Sequence, residues 1–90
     1  MSDPKAQRVI VKLDYPVELP DGTRAEVAIR RPTIGDMLDC PVNDRTGLKE
    51  ETALMARLCG LCVEDVRALD MADYDKLQTE LLRFRGVSGN

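Results

Sequence analysis

Arg30-Arg31-Pro32-Thr33-Ile34-Gly35-Asp36-Met37 is where the hydrophobic period of this 90-residue chain changes. Before it, apolar residues recur at every second position, and after it at every third or fourth, which are the periods of strands and of helices. Pro32 ends the extended run, because it offers no N–H to a ladder and pushes Arg31 away from helical angles. Thr33 is placed to accept from the backbone N–H of Asp36, and an acid in the first turn suits the helix dipole. The chain therefore reads as a hairpin, a hinge and a helical half. Arg30-Arg31 itself reads as a solvated strand end rather than a phosphate site.

On the strand side the odd positions run Val9, Val11, Leu13, Tyr15, Val17 and Leu19, against Lys12, Asp14 and Glu18. Ala25, Val27 and Ile29 continue the pattern after the turn, against Arg24, Glu26 and Arg30. This alternation predicts a half-buried antiparallel hairpin. A two-residue Asp21-Gly22 loop would set Leu19 opposite Arg24. A three-residue Pro20-Asp21-Gly22 loop pairs Leu19 with Thr23, Val17 with Ala25, Tyr15 with Val27 and Leu13 with Ile29, and so keeps the apolar face together. The expected turn is type I with a glycine bulge and a positive φ at Gly22. In that register Pro16 blunts the outer edge of the first strand near the turn. The edge from Val9 to Leu13, guarded by Lys12 alone, is a place where a partner strand or a second copy could add, unless solvent or a helix covers it.

On the helical side a first helix is expected over about 34–39, stopped by Pro41 and the turn formers Asn43, Asp44, Thr46 and Gly47. A second, about 48–59, carries Leu48, Leu54, Met55, Leu58 and Cys59 on one broad face and ends at Gly60. A short third spans about 63–69. Asp70 caps a fourth that reaches about Arg85 before Gly86, with Asp73 in its first turn. Its stripe of Tyr74, Leu77, Leu81 and Phe84 belongs to the core, whereas Met71 and Leu82 fall on a flank. They either touch the hairpin or stand exposed as a second apolar face for a partner. The fold class is thus α+β, an N-terminal antiparallel β-hairpin packed against about four helices. One domain is expected over 8–86, between polar tails at 1–7 and 87–90.

Composition narrows the function. The hydrophobic share of 43% with 32% charged residues is that of an ordinary globular chain, and aromatics at 3% make the core aliphatic. A net charge of −3 gives no broad basic field for nucleic acid. The longest apolar run is far short of a membrane span, and the acidic start does not read as a signal peptide, so a cytoplasmic location is expected. Three cysteines, an odd number, suit a reducing compartment.

Cys59-Gly60-Leu61-Cys62 is the most chemical of the motifs. With no histidine in the chain and only Cys40 besides, it supplies three zinc ligands at most, where a structural site takes four. Placed at the end of a helix, Cys59 also faces the wrong pole of the dipole for a thiolate. The simpler reading makes Cys59 a small core residue and Cys62 a linker or cap residue. The acid pairs Glu50-Glu51, Glu64-Asp65 and Asp70 with Asp73 sit at helix starts, where dipole complementarity accounts for them. No nucleophile is set against a base and no glycine-rich phosphate loop is present, so an enzyme is not expected and no cofactor is called for.

Taken in order, KLDYPVELPDGTRAEVAIRRPTIGDM (12–37), ALMARLCGL (53–61) and EDVRALDMADYDKLQ (64–78) resemble the small tail assembly chaperones of tailed bacteriophages, of the Mu-like and P2-like kind. The shared features are a Y-P-V-x-L-like strand, a D-G turn, an R-R-P-T hinge, a helix ending near L-C-G-L and a closing helix with D…D-Y…L. The likeness covers about Val9 to Phe84. It departs at Cys59 and Cys62, where Thr or Ser and a small residue or Pro are expected.

The resemblance implies a non-enzymatic assembly factor, made in the host bacterial cytoplasm and missing from the mature virion. It implies binding to the long helical tape-measure protein and assistance to tail-tube subunits. It also implies a longer frameshifted form of the same protein as a partner; the open strand edge adds a homo-oligomer, and charge and hydropathy argue against nucleic acid and membrane. The residues expected to bind the partner are Val9, Val11 and Leu13 on the open strand edge, with Met71 and Leu82 on the fourth helix. A small acidic regulator of a host or phage protein is the alternative, and a thiol or metal module through Cys59 and Cys62 a third.

Overall fold

Pro32 does divide the molecule into the two halves that the period change predicts. In the computed structural model, which describes residues 8–86, β1 (Arg8–Leu19) and β2 (Gly22–Arg30) form an antiparallel hairpin. Four helices follow: α1 (Ile34–Asp39), α2 (Leu48–Cys59), α3 (Val63–Arg67) and α4 (Met71–Phe84). The tails expected at 1–7 and 87–90 lie outside the described residues.

The core lies between one face of the hairpin and the inner faces of α2 and α4. Val11, Leu13 and Val17 of β1 and Val27 and Ile29 of β2 meet Leu54, Met55 and Leu58 of α2 and Tyr74, Leu77 and Leu81 of α4, with Val66 of α3 closing one side. The helix ends obey local chemistry. Thr33 and Asp36 form a reciprocal capping box at the start of α1, so the hinge residues read from sequence are the ones that start the helix. Gly60 takes the left-handed conformation (φ 65°) that closes α2, and the Asp70 side chain accepts the N–H of Ala72 at the start of α4. Cys62 is the N-cap residue of α3, and that helix stops at Arg67, two residues short of the expected end.

The hairpin register differs from the expected one. Leu19 pairs with Gly22, Glu18 with Thr23 and Val17 with Arg24, so the loop is Pro20-Asp21. Gly22 does adopt a positive φ (125°), but as the first residue of β2. Pairing resumes at Lys12 with Glu26 and runs through Val11–Val27 and Val9–Ile29 to Arg8–Arg30. Four residues of β1, Leu13 to Pro16, therefore stand against Ala25 alone.

The reason is a contact from the far end of the chain. The carboxylate of Asp73, in the first turn of α4, accepts the N–H of Asp14 (2.8 Å) and of Tyr15 (3.0 Å). Pro16 has no N–H to give. Residues 14–16 thus have no donor left for β2, and the strand swells into a wide irregular bulge. Pro16 lies within that bulge rather than guarding a paired edge, and Tyr15 turns outward, 59% exposed, instead of facing Val27.

Candidate partner-binding surface

Two buried aspartates fix the elements that frame the surface. Asp73 is fully buried, and besides the two bulge N–H groups it lies 3.6 Å from the Lys76 ammonium. Lys76 also binds Asp14 (2.9 Å) and donates to the carbonyl of Lys12 (3.1 Å). Burial pushes the Asp73 carboxyl upward, but the Asp14 and Tyr15 N–H groups and Lys76 outweigh it and hold the group below the usual carboxylate value. The start of α4 is therefore fastened along the outer edge of β1 between Lys12 and Tyr15.

Asp36, also buried, is the second anchor. Arg30 reaches it with two nitrogens (2.7 and 2.8 Å), Arg57 with Nε (2.7 Å) and Thr33 with its backbone N–H (2.8 Å). One carboxylate thus joins the end of β2, the start of α1 and the last turn of α2. Arg30 above all, with Arg57 and Thr33 adding to it against the cost of burial, holds the acid far below its ordinary range. This corrects the view of Arg30-Arg31 as a solvated strand end: Arg30 is committed to Asp36, and the Arg31 guanidinium stands 5.8 Å from the centroid of the Phe84 ring.

Both aspartates titrate below their unfolded value of about 3.9, so each contributes stability that is complete above that pH and is lost as pH falls. The urea midpoint is expected to be flat from about pH 7 to about pH 5 and to fall steadily below about pH 4. A midpoint unchanged down to about pH 3 would count against both anchors.

With the frame set, the exposed apolar residues fall into place. Met71 (56% exposed) and Leu48 (55% exposed) line a common, mostly apolar cleft of about 210 Å³ with Val66, Leu69, Thr52, Tyr74 and the charged Arg67, between α2, α3 and α4. Leu48 is also shared with a wider concavity of about 530 Å³ that runs over Val42, Asn43 and Thr46 to Gln78 and Arg85. Glu51 lines the wider of the two. It accepts from the Tyr74 hydroxyl (2.7 Å) and from Gln78 Nε2 (3.1 Å), and so clamps α2 to α4 beneath the cleft. Burial and the Glu51 hydrogen bond push the Tyr74 hydroxyl upward in pKa, so Tyr74 stays a donor here.

The five residues expected from sequence to bind a partner do not form one patch. Met71 and Leu82 are both exposed on α4, about three turns apart and on one side by helical spacing. Val9 is half-buried, and the side chains of Val11 and Leu13 are spent in the core. Along that strand edge, Lys76 and Asp73 already hold the carbonyl of Lys12 and the N–H of Asp14.

Leu48 was assigned to the core face of α2 and is instead open. It sits at the first position of the helix, at the rim of the cleft rather than beneath it. Its position directly after Gly47, the N-cap, is the signal that a helical wheel ignores. Ile34 and Leu38, on successive turns of α1, form a further exposed pair that the sequence reading did not single out.

The cysteines take no part in this surface. Cys59 closes α2 half-buried, with its thiol pushed up to about 12 by burial, and Cys62 is exposed. A thiol held in that form is a poor nucleophile and a poor metal ligand. Among the described residues no three histidine, cysteine or acidic side chains are grouped as a metal would require, and no helix is long and apolar enough to cross a membrane.

A family model described as phage tail assembly chaperone proteins, E, or 41 or 14, matches residues 10–86, nearly the whole chain. No curated protein and no solved structure matches it at a significant level.

Proposed function

The chain belongs to the phage tail assembly chaperone family, and from that premise we infer that it works by reversible masking of the tape-measure protein. The cleft shared by Leu48 and Met71 takes up apolar side chains from helices of the tape-measure protein, keeps that long protein soluble in the host cytoplasm, and gives them up when tail-tube subunits arrive. The observation that carries this reading is the cleft itself. Two large apolar side chains, each more than half exposed, converge on one apolar concavity whose walls are clamped by Glu51. Leu82 extends the same side of α4. The family is generally non-enzymatic, and the geometry asks for nothing more than binding and release.

Leu48 and Met71 are already nearly half buried, so covering the rest is worth about half of the 1.5–3 kcal/mol of full burial each, about 1.5–3 kcal/mol for the pair, or about 10–10² in affinity. The double variant Leu48→Glu/Met71→Glu is therefore expected to abolish co-purification with the tape-measure protein of the same phage after co-expression. Because both positions are exposed, the free variant should unfold within about 1 kcal/mol of the parent. Recovery of an intact soluble complex with this variant would remove the cleft from the mechanism.

A further inference from the structure

Among the described residues, Ile34 and Leu38 are the most exposed large apolar side chains, at 76% and 73%. Four positions apart, they share one side of α1 and stand out as a knob. The knob is firmly held, because Asp36 ties α1 to Arg30 of β2 and to Arg57 of α2. The same tie keeps it out of the Leu48–Met71 cleft of its own chain. Arg57 lies in the last turn of α2 and Leu48, at the rim of the cleft, in the first, about 13 Å apart along the helix axis. Bringing the knob to that cleft would mean breaking the Asp36 anchor. A second copy meets no such limit.

Knob and cleft are matched in chemistry. The cleft is mostly apolar, too narrow for a whole helix but with room for aliphatic side chains. Its charged lining residue, Arg67, is exposed and enters no ion pair among the described residues. Helix α1 carries acids and no base, and Asp39, its side chain 59% exposed, stands directly beside Leu38. Arg57 takes one oxygen of Asp39 and leaves the other open. We propose that, while no tape-measure protein is bound, the Ile34–Leu38 knob of one copy plugs the Leu48–Met71 cleft of a second copy, with Asp39 facing Arg67. The contact joins two different surfaces, so each copy offers one of each and the association does not close as a two-fold pair. It is also small, and therefore weak and transient. The self-contact stands on this complementarity alone; its displacement by the tape-measure protein rests on the masking mechanism above.

The test is sedimentation of the chain alone at up to about 1 mM, the range of weak contacts. The weight-average mass of the parent is expected to rise with concentration. The knob variant Ile34→Gln/Leu38→Gln and the cleft variant Leu48→Glu/Met71→Glu should each associate at least about tenfold more weakly. An equimolar mixture of the two should form 1:1 pairs and nothing larger, because the intact cleft of the first and the intact knob of the second make one contact between them. The knob variant should still co-purify with the tape-measure protein. All four positions are exposed, and unchanged unfolding midpoints confirm that the folds are intact. A parent that stays monomeric, a variant that associates like the parent, a mixture that stays monomeric, or a knob variant that no longer captures the tape-measure protein would each overturn the proposal. A monomeric parent that captures the tape-measure protein normally leaves masking standing, whereas self-association without capture supports the contact and counts against masking.

Discussion

Replacing Asp36 by Ala is expected to destabilise the fold by about 3–5 kcal/mol, the range for removing one partner of a buried ion pair. The loss has three parts. The Arg30 guanidinium, four-fifths buried, is left without its carboxylate, and burying an uncompensated charge is the largest of the costs. Thr33 loses the acceptor for its backbone N–H, which leaves half of the capping box at the start of α1. Arg57 loses least, because it is more exposed and keeps Asp39 at 2.8 Å.

A domain of this size has about 5–15 kcal/mol in total, so this one change consumes a large share. Thermal unfolding should fall by more than about 12 °C, taking about 4 °C per kcal/mol as the lower bound. Asp36→Asn should recover little, since an amide offers one acceptor oxygen to donors that now use two. A loss under about 1 kcal/mol would mean that the three donors behave as a solvated surface network.

Asp73→Ala is the second large effect, expected at about 2–4 kcal/mol, because two hydrogen bonds to a charged acceptor disappear together. Its cost is below that of Asp36 because Asp14 and Tyr15 are exposed and water can take over their N–H groups. What separates a specific role from general loosening is where the damage appears. Amide hydrogen exchange should accelerate at Asp14 and Tyr15 and along the Arg8–Lys12 pairing, while the Glu18–Thr23 pair beside the turn stays protected to the level that global stability allows. Equal acceleration at both ends of the hairpin would show that Asp73 does not organise the bulge.

These two residues also mark where the sequence stops being legible. The change of period at Pro32, the cap at Thr33, the end of α2 at Gly60 and the inner stripe of α4, save for a half-buried Phe84, are local signals that stand in the structure as read. The hairpin is equally plain, yet its register differs from the one that alternation predicts. Unbroken alternation from Val9 to Leu19 looks like one continuous ladder, and the group that interrupts it lies 58–59 positions away. Pro16 was the only nearby hint.

Asp36 and Asp73 were both assigned to helix starts, where they are indeed found, but helix dipoles do not account for acids with so little exposure. For the surface, Met71 and Leu82 were recognised as surplus to the core stripe. Leu48 was missed because a helical wheel treats the first turn of a helix as equivalent to its middle, and the five residues nominated for binding divide between open surface and packed interior.

The bulge has a consequence for how the chain is made. On a ribosome, residues 17–24 can close their turn as soon as they emerge, since the loop is two residues long. The rest of β1 reaches its final shape only when Asp73 arrives to take the N–H groups of Asp14 and Tyr15. β1 is thus completed by a helix synthesised nearly 60 residues after it, and until α4 has emerged the apolar inner face of the nascent hairpin lacks the helix that covers it.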